Sequence, residues 1–170
     1  TIDMASIRHN LDIVSRQLNN TSVIAGVIKA NAYGMGYIPI GLELYANGCR
    51  HFFVASVEEG IAVRLNLPTN ISIYVLGGTK KNSEQYYIDH QLTPVVVSYE
   101  ALSRWRDFLI SRSSHLSIAI KLNTGMNRFG FDERDVDLFC SQISKFNCFS
   151  IKLVMSHLAC ADEPHHPLNH

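Results

Sequence analysis

Three stretches of this sequence place amine, phenol, guanidinium and imidazole groups at the ends of apolar runs. In Val23-Ile-Ala-Gly-Val-Ile-Lys-Ala-Asn-Ala-Tyr-Gly-Met-Gly36 a nearly unbroken β-branched run closes on Lys29, with Tyr33, Gly34 and Gly36 just beyond it. A lysine partly withdrawn from water loses some of its preference for the ammonium form, so its amine can act as a base or as a Schiff-base nucleophile. The two glycines let the backbone approach a ligand closely. The second stretch, Lys121-Leu-Asn-Thr-Gly-Met-Asn-Arg128, follows the run Leu116-Ser-Ile-Ala-Ile120, and the third sets His157 after Ile151-Lys-Leu-Val-Met155.

The elements that must position these groups alternate. Asp3 is a plausible N-cap for a helix carrying Ile7, Leu11, Val14 and Leu18, ended by Asn19-Asn20-Thr21. A first strand is predicted over 22–30, covered on both faces as in a parallel sheet. Helical spacing recurs at Ile38, Leu42 and Tyr45, and a capping box, Ser56-Val-Glu-Glu59, opens a helix carrying Ile61, Val63 and Leu65. Strands are predicted at Phe52–Ala55, Ile71–Leu76, Pro94–Val97, 116–122 and 151–155. Further helices are predicted over about 83–89, on Leu102, Trp105 and Leu109 capped by Ser98, and on Val136, Phe139, Ile143 and Phe146. Six strands separated by five helices argue for repeated right-handed βαβ units in an α/β fold. The closed form is the (β/α)8 TIM-type barrel, which takes roughly 250 residues. Six units in 170 residues are therefore expected to be an incomplete barrel that stops before closure. An open doubly wound sheet is the alternative, but Asn31-Ala-Tyr-Gly-Met-Gly36 lacks the Gly-x-Gly-x-x-Gly fingerprint of nucleotide binders.

In either fold the reactive groups gather where parallel strands end. Lys29, Tyr33, Lys121, Arg128 and His157 would then form a cationic, acceptor-poor cluster suited to an anionic cofactor. Pyridoxal phosphate fits, since it needs a lysine for its aldehyde, donors for its phosphate and phenolate, and a face on which an amino acid loses a proton. Each residue also has an ordinary reading. Lys29 can snorkel from a strand end, Tyr33 can pack on a rim, His157 can be a hydrogen-bonded strand-end histidine, and Arg128 can pair with Asp132 or Glu133.

Composition narrows the partners. The chain is 46% hydrophobic and 18% charged, with 15 basic and 15 acidic residues, which gives no electrostatic reason to expect nucleic acid or an anionic membrane. Cys49, Cys140, Cys148 and Cys160 show no paired spacing, so reduced thiols and a cytoplasmic location are expected. No apolar run reaches the roughly 18 residues of a membrane helix, and the amino terminus lacks a signal-peptide pattern. The chain begins without methionine, so its start is read as trimmed. Cys160-Ala-Asp-Glu-Pro-His-His-Pro-Leu-Asn-His170, preceded by His157, matches no standard zinc spacing, and no metal is expected.

Together the motifs carry a family resemblance. Val27-Ile-Lys-Ala-Asn-Ala-Tyr-Gly-Met-Gly36 resembles the pyridoxal-phosphate attachment motif of alanine racemases, Lys121-Leu-Asn-Thr-Gly-Met-Asn-Arg-Phe-Gly130 that family's second signature, and Met155-Ser-His-Leu-Ala-Cys-Ala-Asp-Glu-Pro164 its segment after the sixth strand. The resemblance spans the chain nearly end to end. It implies a bacterial amino-acid racemase that interconverts L- and D-alanine, supplies D-alanine for peptidoglycan, and works as a homodimer of barrel domains followed by a β domain, which is absent here. Lys29 would be the cofactor lysine and one of two acid/base groups, and Tyr33 would donate to the cofactor phosphate. Arg128 would bond the phenolic oxygen and face the substrate, and His157 would lie near the ring. Lys121 matches a lysine that is often carbamylated and positions the arginine. The second base, a tyrosine of the partner's β domain, and the arginine facing the pyridine nitrogen have no counterpart in these residues. The residues alone are expected to hold the cofactor weakly and not to racemise. Met35, Asn123 and Phe129 depart from the usual histidine, aspartate and smaller aliphatic. Asn123 matters most, because losing a carboxylate there changes the surroundings of Lys121. Alternatives are a racemase for serine or a broader amino-acid set, a barrel decarboxylase, and a non-catalytic pyridoxal-phosphate-binding homologue.

Overall fold

The computed structural model describes residues 2–19 and 21–169. It divides into two compact units, Thr1–Gly77 with Gln85–Leu92, and Gly78–Glu84 with Thr93–His170. In the first, α1 (Met4–Gln17) opens on Asp3, whose carboxylate accepts the Ala5 N–H at 2.9 Å. Next come β1 (Ala25–Val27), a one-turn segment α2 (Lys29–Tyr33), α3 (Tyr37–Ala46), β2 (His51–Val54), α4 (Val57–Asn66) and β3 (Ser72–Val75). β1 pairs parallel with β2 and β2 with β3, in the register Gly26↔Phe52 and Phe53↔Tyr74. A short α5 (Glu84–Asp89) precedes the second set: β4 (Thr93–Val96), α6 (Tyr99–Ser111), β5 (Leu116–Lys121), α7 (Glu133–Ser141), a 3-10 turn (Ile143–Phe146) and β6 (Phe149–Met155). β4, β5 and β6 are again parallel neighbours. The register runs Ile118↔Ile151 and then Ala119↔Leu153, so Lys152 is the extra residue of a β-bulge.

Within each unit the strands follow chain order with a helix between successive strands. A doubly wound sheet reverses its order at a switch point. Neither unit does, and the winding is that of a barrel. The cores follow from the sequence pattern. In the first unit Phe52, Val54, Ile73 and Val75 are fully buried along β2 and β3, each contributing on the order of 1.5–3 kcal/mol. Gly26 admits this packing, because a Cβ there would meet Leu44 Cδ1 at 2.8 Å. In the second unit Leu102, Trp105 and Leu109 form the buried stripe of α6, and the Trp105 indole donates to Thr79 Oγ1 at 2.8 Å.

Three expectations are corrected. The first strand is three residues long rather than spanning 22–30, and it is not covered on both faces: Val23 is 77% and Val27 45% exposed. A β-branched run signals extended backbone, but the ladder forms only where β2 supplies partners, beginning at Ala25↔His51. Leu65 is also exposed on α4, whose buried residues are Val57, Gly60 and Val63. The helix predicted through Phe146 breaks at Gln142 into α7 and the 3-10 turn; spacings of three and four residues serve both geometries. Asn20 in the predicted end of the first helix lies outside the described residues, as does His170. All four cysteines are free, Cys49 buried and Cys140 exposed. Among the described residues no helix is long and apolar enough to cross a membrane.

Candidate active site

The end of β1 is built by a change of handedness. Ile28 is buried and its N–H donates to Phe53 O at 2.9 Å, the last rung before the chain leaves the sheet. From Ala30 to Tyr33 the backbone is then left-handed, with φ of 50°, 53°, 51° and 56°. None of these residues is glycine, and the left-handed conformation costs roughly 1–2 kcal/mol per L-residue, less for Asn. Hydrogen bonds hold it: Ala32 N–H to Ile28 O at 2.9 Å, Gly34 N–H to Ala30 O at 3.0 Å, and Gly36 N–H to Asn31 O at 2.8 Å. The Asn31 side chain accepts the Tyr37 N–H at 3.0 Å and ties the turn to the start of α3. Lys29, half-buried, stands at the head of this turn. Its ammonium lies 5.9 Å from the centroid of the Tyr33 ring, at the outer range of a cation–π contact, and Tyr33 itself is exposed.

A residue with no chemical role in the sequence reading completes this region. Ser56 Oγ accepts the Glu59 N–H at 3.3 Å, as the capping box predicts. The reciprocal arm of the box is missing. The Glu59 carboxylate takes instead the N–H of Ala30 at 2.8 Å through Oε1 and the N–H of Ala55 at 2.7 Å through Oε2. The only sequence signal was a glutamate at the third position of α4, and this reads as a helix cap.

In the second unit Lys121 is the last residue of β5, only 9% exposed, and stands in register with Met155 of β6. The following loop returns to the strand it left: Phe131 N–H donates to Lys121 O at 2.7 Å and Asn123 N–H to Phe131 O at 2.9 Å, with Phe131 buried. Gly130 makes that closure possible, because at φ 142° a Cβ would sit 2.6 Å from both Leu122 C and Asn123 N. Asn123 shapes the loop from inside. Its Oδ1 accepts Gly125 N–H at 3.3 Å and Asn127 N–H at 3.0 Å, while its amide donates to Asn127 Oδ1 at 3.0 Å. Ser156 joins the neighbouring strand end, donating to Leu122 O at 3.2 Å. His157 follows, exposed. Arg128 projects from the loop, exposed, with no hydrogen bond or ion pair among the described residues. Its alternative pairing does not form; the Asp132 carboxylate caps α7 by accepting the Asp135 N–H at 2.8 Å.

Lys29 and Tyr33 are thus brought together in one unit, and Lys121 and His157 follow adjacent strand ends in the other. The first unit offers a nucleophilic amine beside a phenol donor, and the strand ends of the second carry guanidinium and imidazole donors. Among the described residues no group of three or more His, Cys, Asp or Glu side chains is placed to hold a metal ion.

Similarity to known proteins accords with this arrangement. Residues 2–170 match the family model described as alanine racemase, N-terminal domain. The chain is 40% identical over 169 residues to a catabolic alanine racemase of Mesorhizobium japonicum, covering 99% of this chain and 44% of that protein. It is 36% identical to the alanine racemase of Rhodospirillum rubrum, at 99% and 45% coverage. The crystal structure of Bartonella henselae alanine racemase with covalently bound pyridoxal phosphate superposes with a TM-score of 0.92 at 30% identity, over 99% of this chain and 48% of that one. Alanine racemase of Clostridium difficile 630 gives a TM-score of 0.87 at 28% identity, over 97% and 43%. The fold is that of these barrels, an incomplete (β/α)8 array of six parallel strands, and the chain spans less than half the length of the relatives it matches. By sequence and by fold, this chain belongs to the alanine racemase family, matching its amino-terminal domain.

Proposed function

We propose that these residues form the cofactor-binding part of a pyridoxal-phosphate-dependent alanine racemase. The observation that carries the reading is Lys29, a primary amine fixed at a strand end by a left-handed turn that also delivers Tyr33. When bound, pyridoxal phosphate supplies an electron sink that makes the α-proton of an attached amino acid acidic. Lys29 holds the cofactor through its amine and, once released from it, takes or returns the proton at the α-carbon from one face. Tyr33 donates its phenol to the phosphate. Arg128 donates to the phenolic oxygen and faces the substrate, with His157 beside the ring. Lys121, carbamylated or not, lies at the base of the loop that bears Arg128 and positions it.

Inverting a stereocentre takes a second group on the opposite face, and Lys29 supplies only one. We place the second base in a β domain outside these residues, contributed by a partner subunit in a homodimer. The substrate is a small amino acid, alanine first. Relatives carry both catabolic and biosynthetic names; we assign this protein to D-alanine supply for the cell wall, in the cytoplasm.

The test is borohydride reduction of the full-length protein with pyridoxal phosphate, followed by peptide mass mapping. Cofactor fixed on Lys29 is the expected result, together with exchange of the alanine α-proton for deuterium in buffer. Fixation on any other lysine, or on none, overturns the assignment.

A further inference from the structure

We propose that Glu59 is a positioning residue for Lys29, a carboxylate that takes the place of a missing rung of the β-ladder at the point where the reactive lysine leaves the sheet. The inference rests on the reading of Lys29 as the cofactor lysine. β1 makes its last strand bond through Ile28 N–H to Phe53 O. Continuing the ladder would give the next free amide, that of Ala30, a carbonyl of β2. Ala55 O is instead taken by Gly77 N–H at 2.9 Å, and the chain has already turned left-handed. The Glu59 carboxylate fills both gaps at once, accepting Ala30 N–H on one oxygen and Ala55 N–H on the other.

The two peptide units flanking Lys29 are thereby both fixed, the one before it through Ile28 O, which accepts the Ala32 N–H at 2.9 Å, and the one after it by the carboxylate on the Ala30 N–H. The position and direction of the Lys29 Cα–Cβ bond then follow from rigid elements, while the amine stays half-exposed for reaction. Only an ionised carboxylate can do this. It accepts on both oxygens with charge-assisted strength, whereas a glutamine would turn an N–H2 toward one of the two amides.

The experiment compares wild type, Glu59→Gln and Glu59→Asp in the full-length protein, with pyridoxal phosphate as the probe. Three quantities are read: the rate at which a borohydride-reducible adduct forms on Lys29, hydrogen exchange of the Ala30 amide, and the melting temperature. Glu59→Gln is expected to slow adduct formation at Lys29 by tenfold or more and to speed Ala30 exchange by a similar factor, at temperatures where circular dichroism shows the protein folded. Glu59→Asp, one methylene shorter, keeps the charge and reaches one amide, so its rate should fall between the two. A purely structural glutamate would lower the melting temperature and leave the adduct rate of the folded protein within twofold of wild type; that result overturns the proposal. If the glutamine variant does not fold, the aspartate variant decides by the same criterion. If wild type forms no adduct on Lys29, the reading of the site fails, and the exchange measurement still judges the clamp: an unprotected Ala30 amide in wild type rules it out.

Discussion

Lys29 and Lys121 both close a parallel strand, yet only the chain after Lys29 is also tied by a side chain from a different helix. After Lys29 the backbone turns left-handed through Ala, Asn, Ala and Tyr, residues whose own preference is otherwise; backbone bonds close the turn, and two side chains tie it down, Glu59 of α4 at the entry and the turn's own Asn31 at the exit. After Lys121 the loop is bonded back to its own strand by backbone, through Phe131 and Asn123, and its tight point is taken by glycine. The first arrangement is strained and leaves an amine half-exposed above an exposed ring. The second gives its positive-φ positions to Gly125, Asn127 and Gly130, residues suited to them, and buries its lysine to 9%. After Lys29 conformational preference is overridden by a clamp from α4; after Lys121 the loop satisfies itself.

This contrast is breakable by measurement. Gly130→Ala should have the largest effect, a loss of about 2–5 kcal/mol in urea unfolding, because it combines a positive φ with overlap against backbone that cannot move aside. A cost under 1 kcal/mol would mean the second loop is no tighter than the first. Asn31→Ala should come next, at about 1–2 kcal/mol, since it removes the Tyr37 N–H acceptor and the residue best suited to the left-handed region. Its loss should show as faster amide exchange confined to 30–37; uniform acceleration across the first unit would contradict a local clamp. Arg8→Ala should do least. It unties α1 from α3, the helix that follows the left-handed turn, by removing the Arg8–Glu43 bond of 2.9 Å. That hydrogen bond holds the Glu43 carboxyl below its ordinary range. A depressed carboxyl pKa gives stabilisation that is complete above the unfolded-state value and fades as pH falls through the folded-state one. The small gap in melting temperature between Arg8→Ala and wild type should therefore close on acidification, and a gap that persists in acid would show that the tie is not ionic.

Much of this was legible in the residues. Side-chain caps at Asp3, Ser56 and Ser98 start their helices where read, because capping is local chemistry. The alternation of strands and helices is likewise a matter of period, and it gave the winding. What escaped reading depended on partners distant in the chain. The left-handed turn has no glycine to announce it, and Ala30 and Ala32 would by propensity be right-handed. Glu59 reads as half of a capping box from its neighbours in sequence, while Ala30, which its carboxylate binds, lies 29 residues away. Asn123 departs from aspartate; of its three hydrogen bonds within the loop, the one to Asn127 Oδ1 uses the amide as a donor, which a carboxylate cannot be.

The left-handed turn also restricts how this chain can change over generations. β-Branched side chains are excluded from positions 30–33 by their own backbone, whatever their chemistry, and proline by its fixed negative φ. Small residues and Asn pass that filter, as do few large ones, of which Tyr33 is one. The alphabet open to drift there is set by handedness before any demand of a ligand is felt, so this segment can vary little even where its side chains touch nothing.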